Sequence, residues 1–275
     1  MSGEERYEDI FERRIEREKV KRKEKDTERF KVVEGVFDES TLMVLYKFFN
    51  KGILEELYGV INSGKEANVY YGLDPNEKEV AVKIYRTVAS VFKRISEYIK
   101  GDRRFKKIKK NTYAIIYTWA RKEYANLHRM IEAGVPVPEP IEVEKNVLIM
   151  SFLGRNGIPF PLMKVEEPLN PIEVYNSLID DIKKLYWKAK LVHGDLSEYN
   201  LMIDPEKQKY YVIDVSQAVL TSNPRADLYL YRDITNINNY FSSLDVNIVE
   251  RDRLFKQITK RKPSLDLKLE VGGKE

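Results

Sequence analysis

Val192-His193-Gly194-Asp195-Leu196-Ser197-Glu198-Tyr199-Asn200 is followed, fourteen residues after its last member, by Asp214 in Val212-Ile213-Asp214. No other stretch constrains the chain as much. It sets a carboxylate, an amide five residues on, and a second carboxylate beyond a short turn. Strand signals over Leu201–Ile203 and Tyr210–Ile213 put Asn200 and Asp214 at the ends of neighbouring strands. There Asp195 is placed to accept a proton from an attacking hydroxyl. Asn200 and Asp214 offer oxygen ligands for a Mg²⁺ that bridges phosphates. The spacing fits phosphoryl transfer from a metal-bound triphosphate.

Composition narrows the setting. The 275 residues hold 48 basic and 44 acidic side chains, for a mild net charge of +4, and no cysteine. Disulfides, thiolate metal sites and cysteine nucleophiles are therefore excluded, and a reducing, cytoplasmic compartment is expected. No apolar run approaches the roughly 18 residues of a membrane helix, and no secretory signal is read at the N-terminus, so no membrane partner is expected.

Residues 1–30 carry ten acidic and ten basic residues and read as a charged, solvated extension. Short helices are expected over 31–56, with Leu42, Leu45, Phe48 and Phe49 on one side. Residues 57–153 read as a small β-rich lobe: a meander from Leu57 to Tyr85, a helix from about Tyr113 to Ala133 closed by Gly134, then strands Ile141–Val143 and Val147–Met150. A basic insertion spans 87–112. Residues 154–171, rich in Gly and Pro, read as the crossing to a mainly helical second lobe, 172–275.

Within the first lobe, Ser63, Gly64 and Lys65 lie between two strands, where a glycine lets backbone amides approach phosphate oxygens. An ordinary hairpin turn explains the same residues equally well. Lys83, in Ala81-Val82-Lys83-Ile84, has the context of a phosphate-clamping lysine; a solvent-facing lysine on an edge strand is the alternative. Glu123 sharpens the choice. It falls within the stripe Ile115, Trp119, Leu127, Ile131, and a carboxylate on a packing face is costly unless paired. Lys83 is the expected partner. His193 is expected to brace its loop, and Asp204, before Pro205, to serve a turn. Lys93–Lys110, with nine basic and two acidic residues, is either a solvated insertion or an RNA contact, and Ser90 and Ser96 are candidate phosphoacceptors.

Taken together, these residues resemble the RIO family of atypical serine/threonine protein kinases. The similarity lies in Ser-Gly-Lys-Glu-Ala-Asn-Val-Tyr (63–70), Trp119-Ala120-Arg121-Lys122-Glu123-Tyr124-Ala125-Asn126-Leu127, Gly154-Arg155-Asn156-Gly157-Ile158-Pro159, the Asp195 loop, and Ile213-Asp214-Val215-Ser216-Gln217-Ala218. The phosphate loop is similar to the subgroup without an N-terminal winged helix. The resemblance implies an α+β, two-lobed protein-kinase-like fold lacking the usual activation segment and peptide-binding subdomains. It implies Asp195 as catalytic aspartate, Asn200 and Asp214 as ligands of Mg²⁺ (or Mn²⁺), and Lys83 on ATP. It implies adenine bound by the backbone of Ser151 and Leu153 after a gatekeeper-like Met150, with Pro159 lining the pocket. It further implies autophosphorylation on serine, ATP hydrolysis through an aspartyl-phosphate on Asp214, and a role in maturing the small ribosomal subunit, with pre-ribosomal protein and rRNA as partners. Asn62-Ser63 departs from the family's usual Ser-Thr. Two other readings compete: a small-molecule phosphotransferase of the aminoglycoside or choline kinase type, and a non-catalytic ribosome-binding module.

Overall fold

The computed structural model describes residues 37–87, Ile95, Arg104 and 111–272. The charged extension, Ser90, Ser96 and most of the basic insertion lie outside the described residues.

Alternating apolar residues make strands β1 (Glu56–Ser63), β2 (Ala67–Leu73), β3 (Glu79–Tyr85), β4 (Pro140–Glu144) and β5 (Val147–Ser151). They form one antiparallel sheet in the order β1-β2-β3-β5-β4. Strand β3 is therefore central, not an edge, and six of its seven residues are buried. Its period of two sends Val80, Val82 and Ile84 to one face, where helix α1 (Glu39–Asn50) packs Val44, Leu45 and Phe48. Ala81, Lys83 and Tyr85 point to the other face, towards helix α2 (Thr112–Ala133). That parity, set by the sequence, is what turns Lys83 inward.

Asn111 caps α2 by accepting a hydrogen bond from the Ala114 N–H (2.7 Å), and Gly134 ends it at φ 78°. The expected stripe holds for Ile115, Trp119, Glu123 and Leu127, all buried, but Ile131 is 41% exposed and Met130 takes the inward place. A strict four-residue step drifts about 40° around a helix, so the last member of the series has left the packing face.

The crossing contains a hairpin, β6 (Gly154–Arg155) and β7 (Ile158–Pro159). Asn156 (φ 53°) and Gly157 (φ 76°) make its two-residue turn, the Asn-Gly signal that a Gly- and Pro-rich reading passes over.

The second lobe begins with α3 (Pro171–Lys184), capped by Asn170 and continued by a π turn at Leu185–Ala189. Strand β8 (Leu191–Val192) pairs with β11 (Val219–Leu220), and β9 (Leu201–Asp204) with β10 (Lys209–Val212). Helices α4 (Ala226–Ser243), α5 (Arg251–Thr259) and α6 (Leu265–Gly272) follow. Leu178, Ile182, Leu201, Val212, Tyr231, Ile234 and Phe241 form the core beneath the two ribbons. Among the described residues no helix is long and apolar enough to cross a membrane.

Candidate active site

Lys83 reaches from β3 to α2, where its Nζ donates to both oxygens of Glu123 at 2.8 Å, and onward to Asp214 Oδ1 at 3.0 Å. Glu123 is 1% exposed. Burial and the nearby Asp214 charge hold its carboxyl at about 7, against the pull of Lys83. Burial works the other way on Lys83, but Asp214 and Glu123 keep its ammonium well above its ordinary value. Asp214 sits on the floor of an open cleft, its side chain 41% exposed. Burial alone would raise its carboxyl; Lys83 and the Ser216 hydroxyl, 3.1 Å away, bring it below the usual range.

The turn that carries Asp214 is held from α2. Asp214 adopts a left-handed backbone (φ 55°, ψ 56°), an uncommon state for a residue with a Cβ, just before the 3₁₀ turn Val215–Gln217. Lys122 Nζ donates to the carbonyls of Ser216 (2.5 Å) and Ala218 (2.6 Å), and the Asn126 amide to Val215 (2.8 Å). One helix thus orients Glu123 into the cleft and, from adjacent positions, fixes the loop opposite.

The Asp195 loop has its own supports. Gly194 N–H and Leu196 N–H donate to the two oxygens of Asp233 on α4, at 2.8 and 2.9 Å. Burial raises the Asp233 carboxyl to about 7 despite those bonds. His193 braces the loop as expected: its Nε2 lies 3.2 Å from the Ile213 carbonyl, and its Nδ1 accepts from Asp195 N–H at 3.3 Å. Burial lowers the imidazole to about 4, so it is neutral near pH 7 with the proton assigned to Nε2. The Asn200 side chain donates to the Asp195 carbonyl (2.7 Å), which leaves its amide oxygen as a ligand atom. Asp195 Oδ2 accepts from Gln217 (3.2 Å), and burial and Asp214 raise its carboxyl.

A cleft of about 540 Å³ collects these groups. Met150, Ser151, Leu153 and Pro159 line one end, Gly64 and Lys65 the roof, and Lys83, Glu123, Asp195, Asn200 and Asp214 the other end. Ser63 is not among them. Its hydroxyl donates to Asn68 and accepts from Arg86 (3.1 Å each), outside the cleft. A more open hollow of about 710 Å³ between α3 and the β9–β10 hairpin contains none of these residues.

Among the described residues no three His, Cys, Asp or Glu side chains form a metal cage. The Asp214 carboxylate and the Asn200 amide oxygen, both oxygen donors, instead suit a hard cation that keeps water and phosphate oxygens as its other ligands. Asp204 proves more than a turn residue: it accepts from the Glu206 and Lys207 N–H groups and, at 2% exposure, from Arg155 at 2.8 Å, pinning the crossing hairpin to β9.

Asp233, Lys122, Asn126 and Gln217 were not singled out from the sequence. Asp233 carried a usable signal, a carboxylate on the apolar stripe Leu230, Ile234, Ile237, Phe241. For the other three the partners are backbone carbonyls or a loop carboxylate, which no pattern in the sequence announces.

The RIO domain family matches residues 68–254. The chain belongs to the RIO family. The human serine/threonine-protein kinase RIO1 is 38% identical over 252 residues, covering 88% of this chain and 44% of the human protein. The RIO-type serine/threonine-protein kinase Rio1 of Haloferax volcanii is 39% identical over 235 residues, covering 86% of this chain and 80% of that one. The RIO chain thus spans less than half the length of its human relative and most of its haloarchaeal one. Among solved structures, the Rio2 kinase of Chaetomium thermophilum in an ADP/Mg²⁺-phosphoaspartate complex superposes with a TM-score of 0.60 at 25% identity, covering 83% of this chain and 69% of that one. The protein-kinase-like architecture, a β-sheet lobe over a helical lobe, is shared with it.

Proposed function

We propose that this RIO domain transfers the γ-phosphoryl group of ATP to a serine or threonine hydroxyl. The observation that carries the reading is the meeting of Lys83, Asp195, Asn200 and Asp214 in one cleft, with Lys83 held by the buried Glu123 and the Asp195 loop by the buried Asp233. Adenine recognition falls to the Leu153 N–H and the Ser151 carbonyl, because the Ser151 N–H is bonded to Glu139 and the Leu153 carbonyl to Phe160. Lys83, fixed by Glu123, meets the phosphates beneath Gly64 and Lys65. Asn200 and Asp214 would hold Mg²⁺ (or Mn²⁺), which when bound supplies charge neutralisation at the β- and γ-phosphate oxygens. Asp195 takes the acceptor proton as the hydroxyl oxygen bonds to phosphorus and ADP departs; its raised carboxyl suits a proton acceptor.

The family resemblance implies a second acceptor, the Asp214 carboxylate, which would make the cycle an ATPase; the phosphoaspartate of the Rio2 complex supports an acceptor of that kind. The proposed setting is the cytoplasm and the maturing small ribosomal subunit; a cysteine-free chain and the family resemblance support it. Single-turnover incubation with γ-labelled ATP tests the chemistry. Acid-stable serine label that disappears in Asp195→Asn, with nucleotide affinity retained, supports the kinase. Hydroxylamine-labile label that disappears in Asp214→Asn supports the ATPase. No label and no phosphate release would refute both and leave a binding module.

A further inference from the structure

Beside the catalytic loop, on the side away from the sheet, lies a second groove of about 530 Å³. Its walls are the catalytic-loop residues Ser197–Tyr199, the segment from Met163 to Glu167, and the face of α4 bearing Asn236 and Tyr240. Tyr199, 55% exposed, lines this groove and the nucleotide cleft alike, so the two are continuous at a point four residues after Asp195. The groove is firmly built. Lys164 N–H donates to the Glu198 carbonyl (3.1 Å), Tyr240 OH to the Met163 carbonyl (2.8 Å), and the Asn236 side chain to the Leu196 carbonyl (3.2 Å).

Its chemistry is selective. The lining charges are Glu167, Glu198 and Lys164, and Lys164 is held over the Tyr199 ring at 5.5 Å. Among the described residues neither carboxylate makes an ion pair. Their field is felt inside the groove: burial first, then Glu167 and Glu198, push the Tyr240 hydroxyl up to about 12. Side-chain amides and hydroxyls of Asn236, Asn239 and Ser197 offer both donors and acceptors, the complement of an extended peptide backbone. Two unpaired carboxylates disfavour nucleic-acid phosphates.

We propose that this groove seats the acceptor polypeptide in extended form and selects Lys or Arg beside the hydroxyl that is phosphorylated. The inference rests on the phosphoryl-transfer reading for the word acceptor, and on the groove alone for the peptide and its charge.

The test is a fluorescence-anisotropy titration of the full chain, with ADP and Mg²⁺ present. Two labelled serine peptides are compared, one with Arg and one with Glu flanking the serine. Wild type should prefer the Arg peptide. Glu167→Lys should weaken it about threefold, and Glu167→Lys/Glu198→Lys about tenfold, the sum of two partly screened pairs. The double variant should now prefer the Glu peptide, with ADP affinity unchanged. Equal binding of both peptides by wild type, a preference surviving double reversal, or displacement of the Arg peptide by single-stranded RNA would overturn the proposal. A protein inert in the single-turnover incubation that still shows the charge-reversible preference would sink the kinase reading and support the groove. Serine labelling with no charge preference would do the reverse.

Discussion

Lys83→Met removes an ammonium from between two carboxylates and keeps most of the stem. In the wild type the Glu123 carboxyl stands at about 7 against an ordinary 4.5, raised by burial and Asp214 and restrained by Lys83. Without that restraint its folded-state value climbs further. An acid with a raised folded pKa binds a proton on folding, so stability is lost as pH rises from the unfolded value to the folded one. Wild type and variant should therefore decline together from 4.5 to about 7. Beyond that the wild type levels off at this group, and the variant keeps falling by about 1.4 kcal/mol per pH unit. The ceiling is the roughly 3–5 kcal/mol that follows when one half of a buried pair is stranded. Asp214, open to the cleft, is screened by water and adds little to the slope. Urea unfolding at about pH 6.5, 7.5 and 8.5 reads the difference directly. Lys83→Met/Glu123→Gln should flatten it. A destabilisation that is constant with pH, or a slope that survives in the double variant, refutes the reasoning.

Asp233→Asn keeps one acceptor for the catalytic loop and turns an NH₂ towards the other N–H; the loosened loop should cost about 1–3 kcal/mol of transition-state stabilisation, roughly a five- to 150-fold fall in kcat with KM for ATP little changed. Gly194→Ala should lower the unfolding free energy by about 1–2 kcal/mol in chemical denaturation, since φ +84° suits glycine although the added methyl finds ordinary contact distances. Arg155→Ala leaves the buried Asp204 with two backbone donors only; a loss of about 1–3 kcal/mol in stability is expected, and loosening of the crossing should raise the ADP Kd as well, measurable by calorimetry. Trp119→Ala, at a fully buried position under β3, should cost about 3–5 kcal/mol and lower Tm.

Spacing and parity in the sequence determined much of this protein. The period of two in β3 places Lys83 opposite the strand's core-facing valines, and a carboxylate on an apolar helical stripe marks Glu123 as its partner. Asp195, Asn200 and Asp214 were legible for the same reason: strand ends separated by a short turn have few ways to be arranged. Where a pattern runs long the sequence misleads, as Ile131 shows, because a four-residue repeat slips around a 3.6-residue helix. What only the tertiary structure decided is which groups hold that machinery still. Lys122 and Asn126 act on carbonyls more than eighty residues away, Asp233 on two N–H groups of a loop it follows, and Ser63 turns from the cleft because Arg86 and Asn68 offer its hydroxyl partners elsewhere. Backbone carbonyls and amides are the same in every residue. A contact with them leaves no mark in the sequence, and it exists only once the chain has closed around it.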